Sequence, residues 1–247
     1  MSDSLVIIPT YNEKDNIEAI IRTVLALPVP FDILIVDDNS PDGTADIVKQ
    51  LINEFPQRVY LLSRPEKNGL GQAYIAGFQW ALQRPYQYIF EMDCDFSHPP
   101  QDLLRLREAC LNTADVAIGS RYCKGGQVKN WPLGRILISY LASLYVRLIL
   151  WIPVHDTTSG FKCYKKKVLQ SIDINNIQFR GYAFQIEMKY AAYKLGYKIT
   201  EIPILFKDRE KGQSKMSIKI FHEALWGVLQ MRFKKYKPLN HTSKNTS

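Results

Sequence analysis

Cysteine is sparse in this 247-residue chain: Cys94, Cys110, Cys123 and Cys163 are the whole set, and no two have C-x-x-C spacing. That excludes a disulfide-built scaffold and a cysteine-based zinc site, and makes a reducing, cytosolic setting the default. No apolar h-region follows Met1-Ser2-Asp3, so a secretory leader is not expected. Histidine is equally scarce: His98, His155, His222 and His241 show no metal-ligand spacing, and no G-x-S-x-G elbow occurs. Hydrolase chemistry of the zinc and serine types is set aside. Neither G-x-G-x-x-G nor G-x-x-x-x-G-K-[ST] appears, so both nucleotide-loop signatures are absent. The most apolar window, Ile136 to Trp151, is 16 residues long and contains Arg147, against the roughly 20 that a bilayer crossing needs. It is expected to be buried or interfacial.

What is present describes a folded protein. With 46% apolar and 23% charged residues the chain can bury a sizeable core, and its length suits one domain over residues 1–235, with a polar, disordered tail at 236–247. Charge is distributed unevenly. Residues 1–124 hold 11 Lys+Arg against 17 Asp+Glu, a net −6, whereas residues 125–235 and the tail hold 21 against 7, a net +14. An acidic half suits cation binding; a basic half suits a polyanion or an anionic membrane surface.

The acidic half alternates short apolar runs with helical patterns, which predicts an α/β protein with a mostly parallel sheet and flanking helices. Strands are predicted at Leu5 to Pro9, Phe31 to Asp37, Val59 to Ser63, Tyr88 to Met92 and Val116 to Ser120. Helices are predicted near Asn16 to Leu27, Thr44 to Glu54, Gly71 to Gln83 and Pro100 to Leu111. The basic half is less regular, with strands near Phe161 to Tyr164 and Ile199 to Phe206 and a helix near Ala183 to Leu195. A basic amphipathic helix over Ile218 to Phe233 could lie in a headgroup layer or pack as a core helix.

In such sheets ligands gather at the carboxyl ends of the strands, where this sequence places its polar residues. Glu91-Met92-Asp93-Cys94-Asp95 ends the fourth strand. Side chains two apart on a strand point the same way, so Asp93 and Asp95 are expected to share one cation, and hard oxygen ligands select Mg²⁺ or Mn²⁺. Asp37-Asp38 opens the loop after the second strand, where carboxylates can accept hydrogen bonds from a ribose or a base. Asp42 and Thr44 are explained equally well as caps of the next helix. After the first strand, Tyr11 can stack on a base and Glu13 can bond it. Asn68-Gly69-Leu70-Gly71 reads better as a tight turn than as a phosphate loop.

Taken in order, Pro9-Thr10-Tyr11-Asn12-Glu13, Asp37-Asp38-Asn39-Ser40-Pro41-Asp42-Gly43-Thr44, Gly69-Leu70-Gly71, Met92-Asp93-Cys94-Asp95-Phe96-Ser97-His98-Pro99 and Gly119-Ser120-Arg121-Tyr122 resemble the family 2 glycosyltransferases of GT-A fold. Asp156-Thr157-Thr158-Ser159-Gly160-Phe161-Lys162, Phe184-Gln185-Ile186-Glu187-Met188 and Arg209-Glu210-Lys211-Gly212-Gln213-Ser214-Lys215-Met216 narrow the resemblance to the dolichol-phosphate (polyprenol-phosphate) mannosyltransferases. The resemblance implies inverting, metal-dependent transfer of mannose from GDP-mannose to a polyprenyl phosphate. It implies a nucleotide-sugar site at Pro9, Tyr11, Glu13, Asp37, Asp38, Asp93, Asp95, Arg209 and Lys215, and a Mg²⁺ or Mn²⁺ site at Asp93, Asp95 and Ser97. It places the acceptor phosphate at Arg121, Arg135 and Ser139, and the catalytic role with Asp93, Asp95, Arg121 and Arg135. The implied enzyme is peripheral at the cytoplasmic face of a membrane, held by C-terminal amphipathic interfacial helices or by a separate anchoring protein, with no nucleic-acid partner.

That chemistry is coherent with the residues. A nucleoside diphosphate leaving group needs charge stabilisation, and a phosphate acceptor, already an anion, needs no strong general base. Two anionic reactants need a basic surface to meet on, which the +14 half provides. Three other readings stay open: a UDP-glucose-dependent relative, a transferase with a hydroxyl acceptor for which Asp156 would be the base, and a non-enzymatic binding subunit at a membrane surface. A receiver-type phosphoacceptor domain would need only about half this length.

Overall fold

The computed structural model describes residues 2–179, 181–208 and 218–239. Its first half follows the predicted alternation: β1 (Ser4–Thr10), α1 (Ile17–Leu25), β2 (Asp32–Asp37), α2 (Thr44–Glu54), β3 (Val59–Ser63), α3 (Leu70–Leu82), β4 (Tyr88–Glu91), α4 (Asp102–Asn112) and β5 (Val116–Ser120). Leu5 to Ile8 and Ile33 to Val36 are wholly buried on both faces, as strands covered by helices on each side must be. Alternate residues feed two cores. Leu5, Ile7, Leu34 and Val36 join the α3 side, while Val6, Ile8, Ile33 and Ile35 join the side of α1, α2 and α4.

The second half contributes β6 (Gln127–Lys129), α5 (Leu133–Leu150), β7 (Lys162–Lys165), α6 (Lys166–Ser171), α7 (Tyr182–Lys194), β8 (Ile199–Pro203), β9 (Leu205–Lys207) and α8 (Ile218–Phe233). The main sheet runs β3-β2-β1-β4-β7-β5-β8. Its pairs are parallel except those of β7, which is antiparallel to both β4 and β5. From β1 the chain winds outward through β2 and β3, then returns to place β4 on the other flank of β1. This reversal leaves a crevice above the carboxyl ends of β1 and β4, the usual ligand position in open α/β sheets. The loops after those two strands are the ones that carry Tyr11, Glu13, Asp93 and Asp95.

The single strand expected over Ile199 to Phe206 is two. β8 pairs with β5, and at Ile204 the chain steps to a second, two-stranded sheet of β6 and β9. Ile204 joins both: its N–H donates to Ser120 O at 3.1 Å and its carbonyl accepts from Gln127 N at 2.9 Å. The turn from β5 into β6 requires glycine, because a Cβ on Gly126 would lie 2.5 Å from Ser120 O.

Helix α5 is longer and barer than the apolar window suggested. It has 18 residues, and only 17% of them are buried, which makes it the one described helix long and apolar enough to cross a membrane by length and composition. Ser143, Val146 and Leu150 face inward, while Leu133, Leu137, Ile138, Leu141 and Leu148 are exposed. Its length of about 27 Å falls just short of a bilayer core of roughly 30 Å. Helix α8 packs on α5, with Tyr145 OH donating to Leu225 O at 3.1 Å; Val228 and Met231 are buried and Trp226 and Phe233 exposed. Within the expected tail, Tyr236 packs edge-on against Tyr190 and Leu239 N donates to Ser171 O at 3.0 Å. Residues 240–247 lie outside the described residues.

The seating of α3 on the sheet depends on one missing side chain. A Cβ on Gly77 would stand 2.7 Å from Ile7 Cγ2 and 3.4 Å from Val36 Cγ2, both on buried β-branched residues that cannot move aside. Gly77→Ala is expected to cost about 1–3 kcal/mol by overpacking, read as a lower urea midpoint at unchanged m-value.

Candidate active site

The floor of the crevice is built by Asp37. Nearly unexposed, its carboxylate accepts from Thr10 Oγ1 at 2.8 Å, Ser40 N at 2.9 Å and Ser40 Oγ at 2.6 Å. The loop after β1 is then sewn to the loop after β2: Asn12 N donates to Ser40 Oγ, Glu13 N to Thr44 Oγ1 and Lys14 N to Asp42 Oδ2, each at 3.0 Å. Asn12 and Asn39 take left-handed backbone at φ 60° and 56°, a conformation asparagine tolerates. Asp42 also receives Thr44 N and Oγ1; the N-cap position of α2 is Gly43, at φ 89° and with no side-chain cap, so neither Asp42 nor Thr44 is the cap, and Asp42 instead ties the first helical residue to the loop.

Next to Asp37, Asp38 is clasped by Arg64, Nη1 to Oδ1 at 2.7 Å, with both side chains largely buried. Burial pushes the Asp38 carboxyl above the usual carboxylate range, and Arg64 works against that rise. Lys67 Nζ sits 4.0 Å over the Tyr11 ring. Arg64 and Lys67, on the loop after β3, are neighbours of the site that the sequence reading left out. Their signal was their position after a third strand end in register with Asp37.

β4 ends at Glu91, so Asp93 and Asp95 lie in the loop beyond it and the strand-alternation argument for their convergence does not apply. They are grouped by the fold of that loop, which turns at Phe96 with φ 57°. Glu91, Asp93 and Asp95 all raise the Tyr74 hydroxyl electrostatically after the larger effect of burial, and Glu13, Asp95 and Asp93 act likewise on the Cys94 thiol. Ser97 N donates to Asp95 Oδ1 at 3.1 Å. His98 stacks on Phe161, with Nδ1 4.0 Å from Asp93 Oδ2 and 3.4 Å from Ser97 Oγ. Burial drives its pKa down to about 4, so the ring is neutral at pH 7. No group of three or more His, Cys, Asp or Glu side chains forms a metal cage among the described residues. Two hard carboxylates without a full cage fit Mg²⁺ or Mn²⁺, ions that commonly keep water or phosphate oxygens in their remaining positions. A cleft of about 450 Å³ runs from Asp15 and Asn16 past Asp95 and Phe96 to Lys207 and Asp208.

On the acceptor side the arginines differ. Arg121 grips Asp156 with Nε to Oδ2 at 2.7 Å, Nη2 to Oδ1 at 2.6 Å and its own backbone N to Oδ2 at 2.9 Å, and Nη2 also reaches Thr158 Oγ1 at 2.8 Å. Asp156 is wholly buried; burial alone would raise its pKa, but the Arg121 guanidinium outweighs that and holds it below the usual carboxylate range. A carboxylate so engaged is poorly suited to be a general base, which corrects the alternative that assigned Asp156 that role. Arg135, by contrast, is half-buried, stacked 3.9 Å from the Trp131 ring and bonded to Asp208 at 3.1 Å. Ser139, one turn further along α5, lies beside the Tyr122 phenol. Arg209 and Lys215 lie outside the described residues.

Behind both groups is a buried polar network. Lys162 pairs with Glu91 at 3.1 Å and also donates to Gln185 Oε1, Gln185 Nε2 donates to Glu91 Oε2 at 2.7 Å, and Lys189 Nζ donates to the carbonyls of Thr157 (2.8 Å), Ser159 (2.6 Å) and Gln185 (3.2 Å). Burial lowers the pKa of both lysines. The network ties the strand leading to Asp93 to the loop that holds Asp156.

Residues 5–173 match the family model described as "Glycosyl transferase family 2". The chain belongs to glycosyltransferase family 2. It is 44% identical over 227 residues to the polyprenol monophosphomannose synthase of Mycolicibacterium smegmatis, covering 92% of this chain and 86% of that protein. It is 44% identical over 229 residues to the undecaprenyl-phosphate mannosyltransferase of Micrococcus luteus, covering 91% and 93%. Against the dolichol-phosphate mannosyltransferase of Pyrococcus furiosus it is 37% identical over 233 residues, covering 92% of this chain and 62% of that protein. Among solved structures, mannosyl-3-phosphoglycerate synthase from Rubrobacter xylanophilus aligns with TM-score 0.65 at 18% identity, covering 92% and 72%. Glucosyl-3-phosphoglycerate synthase from Mycobacterium tuberculosis, solved with Mn²⁺ and UDP, aligns with TM-score 0.64 at 15% identity, covering 92% and 78%. These structural likenesses establish the glycosyltransferase fold, GT-A, for this chain.

In this family 2 enzyme the Arg121–Asp156 pair has a checkable cost. Removing the anion strands a buried guanidinium, so Asp156→Ala is expected to lose about 3–5 kcal/mol of stability in urea denaturation. Because the folded carboxyl titrates below its unfolded value, the pair stabilises fully above about pH 4 and is lost as pH falls through the folded pKa. Asp156→Asn should therefore flatten the acid limb of the stability profile relative to wild type.

Proposed function

We propose that this enzyme transfers mannose from GDP-mannose to the phosphate of a polyprenyl phosphate, with inversion at the anomeric carbon, while lying at the cytoplasmic face of a membrane. The relatives named above, alike in acting on polyprenyl phosphates and alike over nearly this whole chain, support the reaction class. The observation that carries it to this chain is a juxtaposition. One cleft joins Asp95, of the acidic loop after β4, to Asp208, the partner of Arg135, and Arg135 opens the helix whose apolar face is bare.

In this reading Pro9, Tyr11, Glu13, Asp37 and Asp38 hold the nucleoside, with Asp37 acting through the loops it pins. A Mg²⁺ or Mn²⁺ ion, held by Asp93, Asp95 and Ser97, would supply Lewis-acid stabilisation of the departing diphosphate. Arg209 and Lys215 add positive charge over that diphosphate. Arg135 and Ser139 take the acceptor phosphate, a guanidinium fork being matched to phosphate oxygens. Arg121, committed to Asp156, keeps the Ser120 to Tyr122 segment in place. The acceptor oxygen is already anionic, so placement of the two reactants is the main task and no base is required. His98, with its pKa lowered to about 4 by burial, would in any case be a weak base.

The bare face of α5, with Trp151, Trp226 and Phe233 beside it, is proposed to rest in the headgroup layer, where Trp and Arg commonly sit and basic residues meet anionic lipid. This presents Arg135, at the start of α5, to a phosphate anchored in that layer. A separate anchoring protein would reinforce the same orientation.

Transfer to undecaprenyl phosphate is expected with GDP-mannose and Mn²⁺ and not with UDP-glucose, and chelation with EDTA should abolish it. Asp93→Ala and Asp95→Ala should each lower turnover on the order of 1,000-fold at near-wild-type melting temperature; full activity in EDTA would refute the metal assignment. Leu141→Glu combined with Trp226→Glu should reduce co-sedimentation with phosphatidylglycerol vesicles and leave GDP binding unchanged.

A further inference from the structure

Arg135, the cation assigned above to the acceptor phosphate, is already occupied. Its Nη1 donates to both carboxylate oxygens of Asp208, each at 3.1 Å, so one guanidinium nitrogen is shared between two anionic oxygens. The two partners are held by separate means. Trp131 carries the guanidinium on its ring face, 3.9 Å from Cζ, and is itself braced edge-on against Phe206 at 5.1 Å. Asp208 is placed by its backbone: its N–H donates to Lys129 O at 3.2 Å, continuing the β6–β9 pairing by one residue. Opening the ion pair therefore leaves the arginine seated on Trp131 and Asp208 attached to its strand. The pair is about one-third exposed on each side, in a setting where an ion pair contributes little and exchanges readily for another anion. Asp208 also lines the cleft that contains Asp95.

We propose that Asp208 is an internal stand-in for the acceptor phosphate. Its carboxylate occupies Arg135 in the empty enzyme, an incoming phosphomonoester takes that place, and Trp131 is the positioning residue that keeps the guanidinium where the exchange occurs. A phosphomonoester bears about −1.5 to −2 charge at neutral pH and so outcompetes a single carboxylate for the same guanidinium. The exchange also puts the displaced negative charge of Asp208 next to the cleft only after an acceptor has arrived, while the arginine is never left without an anion in a half-buried position. The inference rests on the acceptor role proposed for Arg135.

The test is a binding cycle that needs no turnover: geranyl phosphate titrated into the full chain by calorimetry, for wild type, Asp208→Asn, Arg135→Ala and the double variant, with GDP binding and melting temperature as controls on folding. Arg135→Ala should weaken binding at least tenfold. An exposed pair of this strength predicts that Asp208→Asn tightens binding about two- to six-fold. The double variant should match Arg135→Ala, because the proposed competition runs through Arg135. Trp131→Ala should weaken geranyl phosphate and spare GDP, with Trp131→Phe restoring part of the loss. Asp208→Asn that leaves binding unchanged or weaker, or that tightens it equally with and without Arg135, overturns the stand-in role while the acceptor assignment survives. Arg135→Ala that leaves binding unchanged overturns the acceptor assignment, and the stand-in role falls with it.

Discussion

A carboxylate withdrawn from water has to be answered by hydrogen-bond donors or by a cation, and three such carboxylates organise this molecule. Asp37 joins the loops after β1 and β2. Glu91 joins β4 to β7 and, through Gln185, to α7. Asp156 joins the end of β5 to the loop before β7, and its own N–H, with that of His155, is gathered by Glu201 on β8. All three are essentially unexposed, and each lies at or next to a strand end that borders the crevice. A buried ion pair contributes little net stability compared with apolar packing, yet is costly to break. The value of these contacts is positional: hydrogen-bond donors hold Asp37 and cations hold Glu91 and Asp156, and the polar edge of the sheet inherits their placement.

The same logic separates residues of one type into different roles. Arg121 is enclosed and held bidentately by Asp156, whereas Arg135 lies on an aromatic face in a partly exposed pair with Asp208, the partner proposed to be replaceable. Asp37 is consumed by Thr10 and Ser40, whereas Asp38 beside it keeps a raised pKa and a single arginine clasp. Enclosure builds the frame, and partial exposure leaves a group able to exchange partners with a ligand.

The two halves of the chain divide the electrostatic work. Acidic loops belong to β1, β2 and β4, where a cation can bridge to a diphosphate. The basic excess belongs to the half that carries α5 and α8, next to an apolar surface bare enough to enter a headgroup layer. Two anionic reactants approaching from opposite media, one dissolved and one anchored in lipid, would meet where these halves join.

Much of this was legible in the sequence. Apolar runs of strand length and helical periodicity placed β1 to β5 and α1 to α4 to within a few residues, because those signals depend on neighbours along the chain. The loops after β1, β2 and β4 could be singled out because polar residues after a buried strand have few other uses. What stayed hidden depends on neighbours across space. β7 inserts antiparallel between β4 and β5, the run from Ile199 to Phe206 splits between two sheets at Ile204, and Lys162 and Lys189 turn out to be wholly buried. Asp156 could be read as a base until its contact with Arg121, 35 residues away, was in view. By itself, then, the sequence determined which segments form strands and helices and which loops carry charge, since hydrophobic pattern and turn chemistry act locally. Which of those charges are enclosed and which remain exchangeable was decided by the tertiary structure alone, because enclosure is a property of the elements packed around a group and not of the residues beside it in the chain.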